Sequence, residues 1–124
     1  MGATLQYPHS QIYGYGFLPQ RQARAAKILQ EHHSRTGRNL LADLAVAERE
    51  RNIRVIAARA SAVAFAPPFA QFPYEIWIVP TRPARDLAGL SDAERQDMAF
   101  VLSQSLCRLD RLWDRPMPYL LTMN

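Results

Sequence analysis

The sequence predicts an α+β chain, an antiparallel sheet packed by helices and incomplete at both ends. Three observations carry that expectation. Short β-branched and aromatic runs follow one another between residues 53 and 80 with only turn-sized gaps, the pattern of an antiparallel meander. Two helical stretches precede them. A long helix with its own start signal follows. At 124 residues there is room for one domain with a core.

The first element expected is a strand over "SQIYGYGF" (10–17), where Ile12, Gly14 and Gly16 alternate with Tyr13, Tyr15 and Phe17. Its glycines leave one face without side chains, as where another backbone or a ligand approaches closely. Pro19 ends it. Helical spacing then runs from Gln20 to Thr36, with Ala25, Ile28, Leu29 and His32 on the inner stripe and Gly37 as the stop. The neighbours His32 and His33 point about 100° apart on a helix and do not chelate one ion together, so they are assigned to the surface. A second helix runs from about Leu40 to Arg51 with Leu41, Leu44 and Ala45 inward.

"IRVIAA" (53–58), "AVAFA" (62–66) and "EIWIVP" (75–80) supply the meander. Ser91 and Glu94 form a capping box. The helix they open presents Met98, Leu102, Leu106, Leu109 and Trp113 as a core stripe, with Cys107 as a small packing residue, and Pro116 and Pro118 follow its end. "YLLTM" (119–123) reads as a last strand. Strands at both ends, each lacking a partner, predict self-association, with a homodimer as the expected assembly.

Composition narrows the class. The 48% hydrophobic and 21% charged content is that of a globular chain rather than a disordered one. No apolar run approaches the roughly 20 residues of a membrane span, so no membrane partner is expected. No basic and then hydrophobic leader is seen at the N-terminus. One cysteine excludes an internal disulfide and any CxxC metal site, and fits a reducing cytoplasm. The net charge is +4, but the arginines are scattered and interleaved with acids. A nucleic-acid binder would concentrate them in a stripe with aromatic platforms, so no nucleic acid is expected either.

The chemistry concentrates around His9. A nucleophilic histidine needs one unprotonated ring nitrogen aimed at phosphorus, and donors for the phosphoryl oxygens as charge develops. Ser10 offers a hydroxyl and Gln11 an amide, the latter on the same face as His9 in an extended chain. Gly2, Ala3 and Thr4 make a small-residue segment suited to cradling phosphate. The plain alternative is a loop histidine facing water.

"GATLQYPHSQIYGYGFLP" resembles the active-site segment of the galactose-1-phosphate uridylyltransferases of the histidine-triad superfamily, with their His-Pro-His, Gly or Ser, Gln and a strand ending in proline. "RVIAARASAVAFAPPFAQFPYEIWIVPTRP" is similar to the family's valine-rich strand, apolar loop and Pro-aromatic-Glu. "LAGLSDAERQDMAFVLSQSLCRLDRLW" resembles its long helix and "MPYLL" the strand after it. The resemblance implies a histidine-triad-like sheet. It assigns residues 1–19 to the active-site loop and strand of the family's first half, and 20–124 to its second.

It further implies UMP transfer between UDP-glucose, or another UDP-sugar, and a hexose 1-phosphate such as galactose 1-phosphate. The route is ping-pong through a uridylyl-histidine. His9 matches the nucleophile and Gln11 the glutamine on the transferred phosphoryl group. Thr4 falls where the family has a serine near the phosphates, and Ser10 where it has glycine or serine. Tyr7 replaces a histidine that binds zinc in zinc-containing members, Ala25 stands near a metal-binding glutamate, and Asn124 near a histidine. No metal cofactor is therefore expected; a phenol is a poor zinc ligand beside imidazole and thiolate. The other readings are a phosphorylase of ADP-sugars or dinucleoside polyphosphates, and a truncated, non-catalytic nucleotide-binding or dimerisation fragment.

Overall fold

The computed structural model describes residues 9–123. Its elements run α1 (Gln20–Thr36), α2 (Leu40–Arg51), β1 (Val55–Ala58), β2 (Ala62–Phe65), β3 (Trp77–Pro80) and α3 (Asp92–Leu112). The strands form one antiparallel sheet in the order β1-β2-β3, the expected meander.

β2 lies in the centre with all four residues buried, and its alternation divides the core. Val63 and Phe65 point to one face and cluster with Val79 and with Ala45 of α2. Ala62 and Ala64 point to the other, with Ala57 and Val101 of α3. Small residues on that side let α3 approach the sheet closely. β1 carries an irregularity between Val55 and Ala57, where one more residue stands in β1 than in its partner. A bulge of this kind inverts the alternation. Val55 accordingly packs on the α2 side while Ile56 and Ala57 face α3.

Both helices hold the hairpin between β1 and β2. Arg49 of α2 donates from Nη1 to the carbonyls of Arg59 and Ala60, at 2.8 and 3.1 Å. Asp97 of α3 accepts from the Ser61 N–H at 2.9 Å. Arg108, further along α3, donates to the Ile56 carbonyl at the bulge. The capping box at Ser91 and Glu94 is present in full. Glu94 serves twice: Oε2 accepts from the Ser91 N–H and from Arg82 Nη2, both at 2.7 Å.

Helix ends follow their local signals. Gly37 takes the left-handed conformation at φ 70° and returns its N–H to His33. Asn39 caps α2 through its side chain, and Asn52 closes it at φ 50°.

Several expectations need correction. Residues 10–17 form no strand: they run as an exposed segment with no ladder, because none of the three described strands lies beside them. The glycine face meets none of the described residues; a Cβ added at Gly14 or Gly16 would have none of their atoms within 4 Å. Residues 119–123 likewise pair with no strand among the described residues and stay exposed. Trp113 lies outside the core at the C-cap of α3. A helix of 21 residues spans about 31 Å, whereas four-residue strands extend only about 13 Å, so its last turn overhangs the sheet. Cys107 is exposed; Val101 and Ser105 face the sheet, which turns position 107 away. On α1, Ala25 and Ile28 are exposed and nothing is fully buried. That helix meets α2 at the corner where His32 reaches Asp43.

Candidate active site

His9, Ser10 and Gln11 open the exposed segment that leads into α1, and all three face solvent. Thr4 and Tyr7 lie outside the described residues, so the proposed phosphate cradle and the position of the missing histidine carry no geometry. Two surface cavities lie elsewhere, one against Arg49 and Ala60 and one against Gln30 and His32, and neither is lined by His9 or Gln11.

Local chemistry gives the segment some order despite its exposure. Alternate side chains of an extended chain share a face. Tyr13 and Tyr15 stack with centroids 6.3 Å apart, and Phe17 tilts against Tyr15 at 5.6 Å. The Tyr13 hydroxyl donates to Gln11 Oε1. With its oxygen engaged, the Gln11 amide has its NH2 end as the donor for an incoming acceptor such as a phosphoryl oxygen.

Two polar clusters escaped the sequence reading. His32 is half-buried, and its Nε2 lies 2.8 Å from Asp43 Oδ2 across the corner between α1 and α2. Arg38 Nε donates to the other carboxylate oxygen at 2.8 Å. The His32 bond, followed by Arg38, holds the Asp43 carboxyl below its usual range. An Asp or Glu that accepts donors in this way favours its charged form. Nothing in the spacing of the two residues, one on each helix, announces the pair.

The second cluster gathers on Glu75. Its Oε1 accepts from the Trp77 indole N–H at 2.8 Å, and its Oε2 from the backbone N–H groups of Gln71 and Phe72 at 2.8 and 3.2 Å. Those bonds, the indole first, lower the pKa of Glu75, and the charge of Arg21 on α1 adds to the effect. Tyr74 is held in the left-handed region at φ 61°, and Phe69 meets Trp77 edge-on at 5.0 Å. The Pro-aromatic-Glu pattern at 73–75 was the available signal: here its glutamate is the knot of the loop before β3.

Among the described residues no group of three His, Cys, Asp or Glu side chains comes together that could hold a metal ion. No helix among them is long and apolar enough to cross a membrane.

Comparison with known proteins places this fold. The C-terminal domain of galactose-1-phosphate uridyl transferase, as a protein family, matches residues 12–124. The galactose-1-phosphate uridylyltransferase of Streptomyces lividans is 35% identical over 123 residues, covering 97% of this chain and 35% of its own. That of Thermotoga maritima is 31% identical, covering 98% of this chain and 37% of its own. A solved uridylyltransferase structure superposes with a TM-score of 0.84 at 32% identity, over 94% of this chain and 36% of that one. A mutant uridylyltransferase structure gives 0.77 at 28%. The chain thus spans about a third of the length of the curated relatives it matches.

Proposed function

The chain belongs to the galactose-1-phosphate uridyl transferase family, whose C-terminal domain matches its residues 12–124, and from that membership we propose that it serves UMP transfer between UDP-glucose and galactose 1-phosphate. His9 is the nucleophile. Its imidazole nitrogen attacks the α-phosphorus of UDP-glucose; the bond from that phosphorus to the bridging oxygen breaks, and glucose 1-phosphate leaves. A phosphate oxygen of galactose 1-phosphate then attacks the same phosphorus, the P–N bond breaks, and UDP-galactose departs with His9 restored. Splitting the transfer in two replaces one difficult displacement by two easier ones.

Gln11 and Thr4 donate to the non-bridging oxygens as charge builds on them, with the Ser10 hydroxyl beside them. The observation that carries this reading is the presentation of His9, Ser10 and Gln11 in an exposed, extended segment directly before the matched domain. A nucleophile that must meet two different sugar phosphates in turn needs such access. Residues 1–19 supply the active-site segment and 20–124 the scaffold. No step runs through a metal, since Tyr7 offers a phenol in a ligand's place. A homodimer is the assembly this reading expects, with Tyr119, Leu120 and Met123 among the exposed apolar side chains.

The test is a trapped adduct. The chain is incubated with UDP-glucose labelled in its α-phosphate and checked for acid-labile label on protein. Label on the wild type, abolished in His9→Ala and kept largely intact in Tyr7→Phe, is the expected result. A folded sample that takes no label at high concentration overturns the reading for this chain and favours a non-catalytic role. Label from ADP-glucose but not from UDP-glucose would point to the ADP-sugar phosphorylases instead.

A further inference from the structure

We propose that the contact between His32 and Asp43 is a latch that sets how α1 lies on the body of the protein, and so where the segment ahead of it is held. That this segment carries a nucleophile is the reading given above; the latch itself stands on the geometry of the two helices.

α1 buries no residue completely, so packing alone fixes it weakly. It joins α2 through three residues, 37–39, beginning with left-handed Gly37. Across that corner runs a closed set of polar contacts. His32 reaches Asp43 at 2.8 Å, with only 17% of the His32 side chain exposed and 24% of the Asp43 side chain. An ionised carboxylate only accepts, so Nε2 must carry the hydrogen. Arg38, in the corner, holds the second oxygen. The Thr36 hydroxyl donates to the His32 carbonyl at 2.8 Å and accepts from the Arg38 N–H at 3.1 Å. Asp43 also sits in the first turn of α2, where the helix dipole favours a negative charge.

Leverage gives the latch its consequence. From His32 to Gln20 the helix rises about 18 Å, so a tilt of 10° at the corner displaces its far end by about 3 Å. A misplacement of about 1 Å is enough to spoil an in-line attack. At the far end the charge of Arg21 faces Glu75, a longer-range tie that does not fix an angle. His32 is thus a positioning residue, acting through the helix on what precedes it.

The experiment uses the full chain with spin labels at two cysteines: native Cys107, exposed on α3, and one introduced by Leu18→Cys, a position 63% exposed. Pulsed electron-electron resonance reads the distance between them. A single narrow distribution is expected, and His32→Ala should broaden it about twofold, as movement of a few ångströms at the helix end requires. His32→Gln, which can still donate to Asp43, should restore most of the narrowness, a recovery that lost packing alone would not give. If His32→Ala fails to fold by circular dichroism, Asp43→Leu is read in its place. An unchanged width in the variant read, or a wild-type distribution already broad, overturns the latch. Because the readout is a distance, it decides the latch even where the wild type takes no uridylyl label, the result that would sink only the functional reading.

Discussion

Arg54 reaches back over left-handed Asn52 to hold Glu48 with two hydrogen bonds, Nη2 to Oε1 at 2.7 Å and Nε to Oε2 at 3.2 Å. Glu48 is 3% exposed, on the face of α2 that meets the sheet, and the pair pins the end of that helix to the approach of β1. A bidentate fork of this kind is geometrically selective as well as strong.

Breaking that pair from one side should cost more than removing it whole. Arg54→Met leaves a carboxylate enclosed without its partner, and should lower the midpoint of thermal unfolding by several degrees. Adding Glu48→Leu to the same chain should recover part of the loss, since an apolar pair of similar volume has no charge to desolvate. A double-mutant cycle of melting curves checks this. Equal or greater loss in the double variant would contradict it.

Phe65 is fully enclosed at the centre of the sheet, in the cluster with Ala45, Val63 and Val79. Phe65→Ala should destabilise the fold by about 3–5 kcal/mol, the usual cost of an emptied aromatic site that cannot collapse. Urea unfolding with an unchanged slope measures it. Ala64, facing α3 from the same strand, should show the converse behaviour: Ala64→Leu overfills the close contact with that helix and destabilises by about 1–3 kcal/mol.

Acid sensitivity should track one arginine. Arg82, and after it the Ser91 N–H, hold the Glu94 carboxyl down to about 2 from an ordinary value of 4.5. A depressed folded-state pKa means that the unfolded chain binds the proton more readily. The stability this contributes is present in full above pH 4.5 and is lost as pH falls towards 2. Asp43 and Glu75 are shifted in the same direction and add to the loss. Arg82→Gln should flatten the dependence in that window while leaving the slope near neutral pH unchanged. Unfolding midpoints over a pH series provide the measurement, and an unaltered acid limb in the variant would contradict it.

Most of the scaffold was legible because its signals are local. Gly37 ends α1 by its own backbone freedom, and Ser91 with Glu94 starts α3 within one turn. The meander was legible because its strands pair in the order in which the chain supplies them, β1 to β2 through a tight hairpin and β2 to β3 through the longer loop 66–76. Residues 10–17 and 119–123 misled for the opposite reason: alternation prescribes which side chains share a face, but a strand also needs a neighbour to bond with. The alternation itself survives in the column Tyr13, Tyr15, Phe17. Trp113 and Cys107 went wrong because helical spacing does not reveal how far a sheet extends beneath a helix. Of the candidate site, the residue types were readable around His9. The His32–Asp43 bond was not, since it joins two helices whose relative placement no periodicity encodes.

Among the described residues nothing comes within 4 Å of a Cβ placed at Gly14 or Gly16, and neither has the left-handed backbone that would demand glycine. Alanine at either position therefore disturbs no packing among the described residues. Any intolerance found there, in a screen scored on activity rather than on stability, must originate in something other than the contacts among the described residues. The two positions become a gauge. Stepping the side chain from Ala to Ser to Val, and noting where fitness drops, measures the clearance to whatever lies against the segment when the protein is at work.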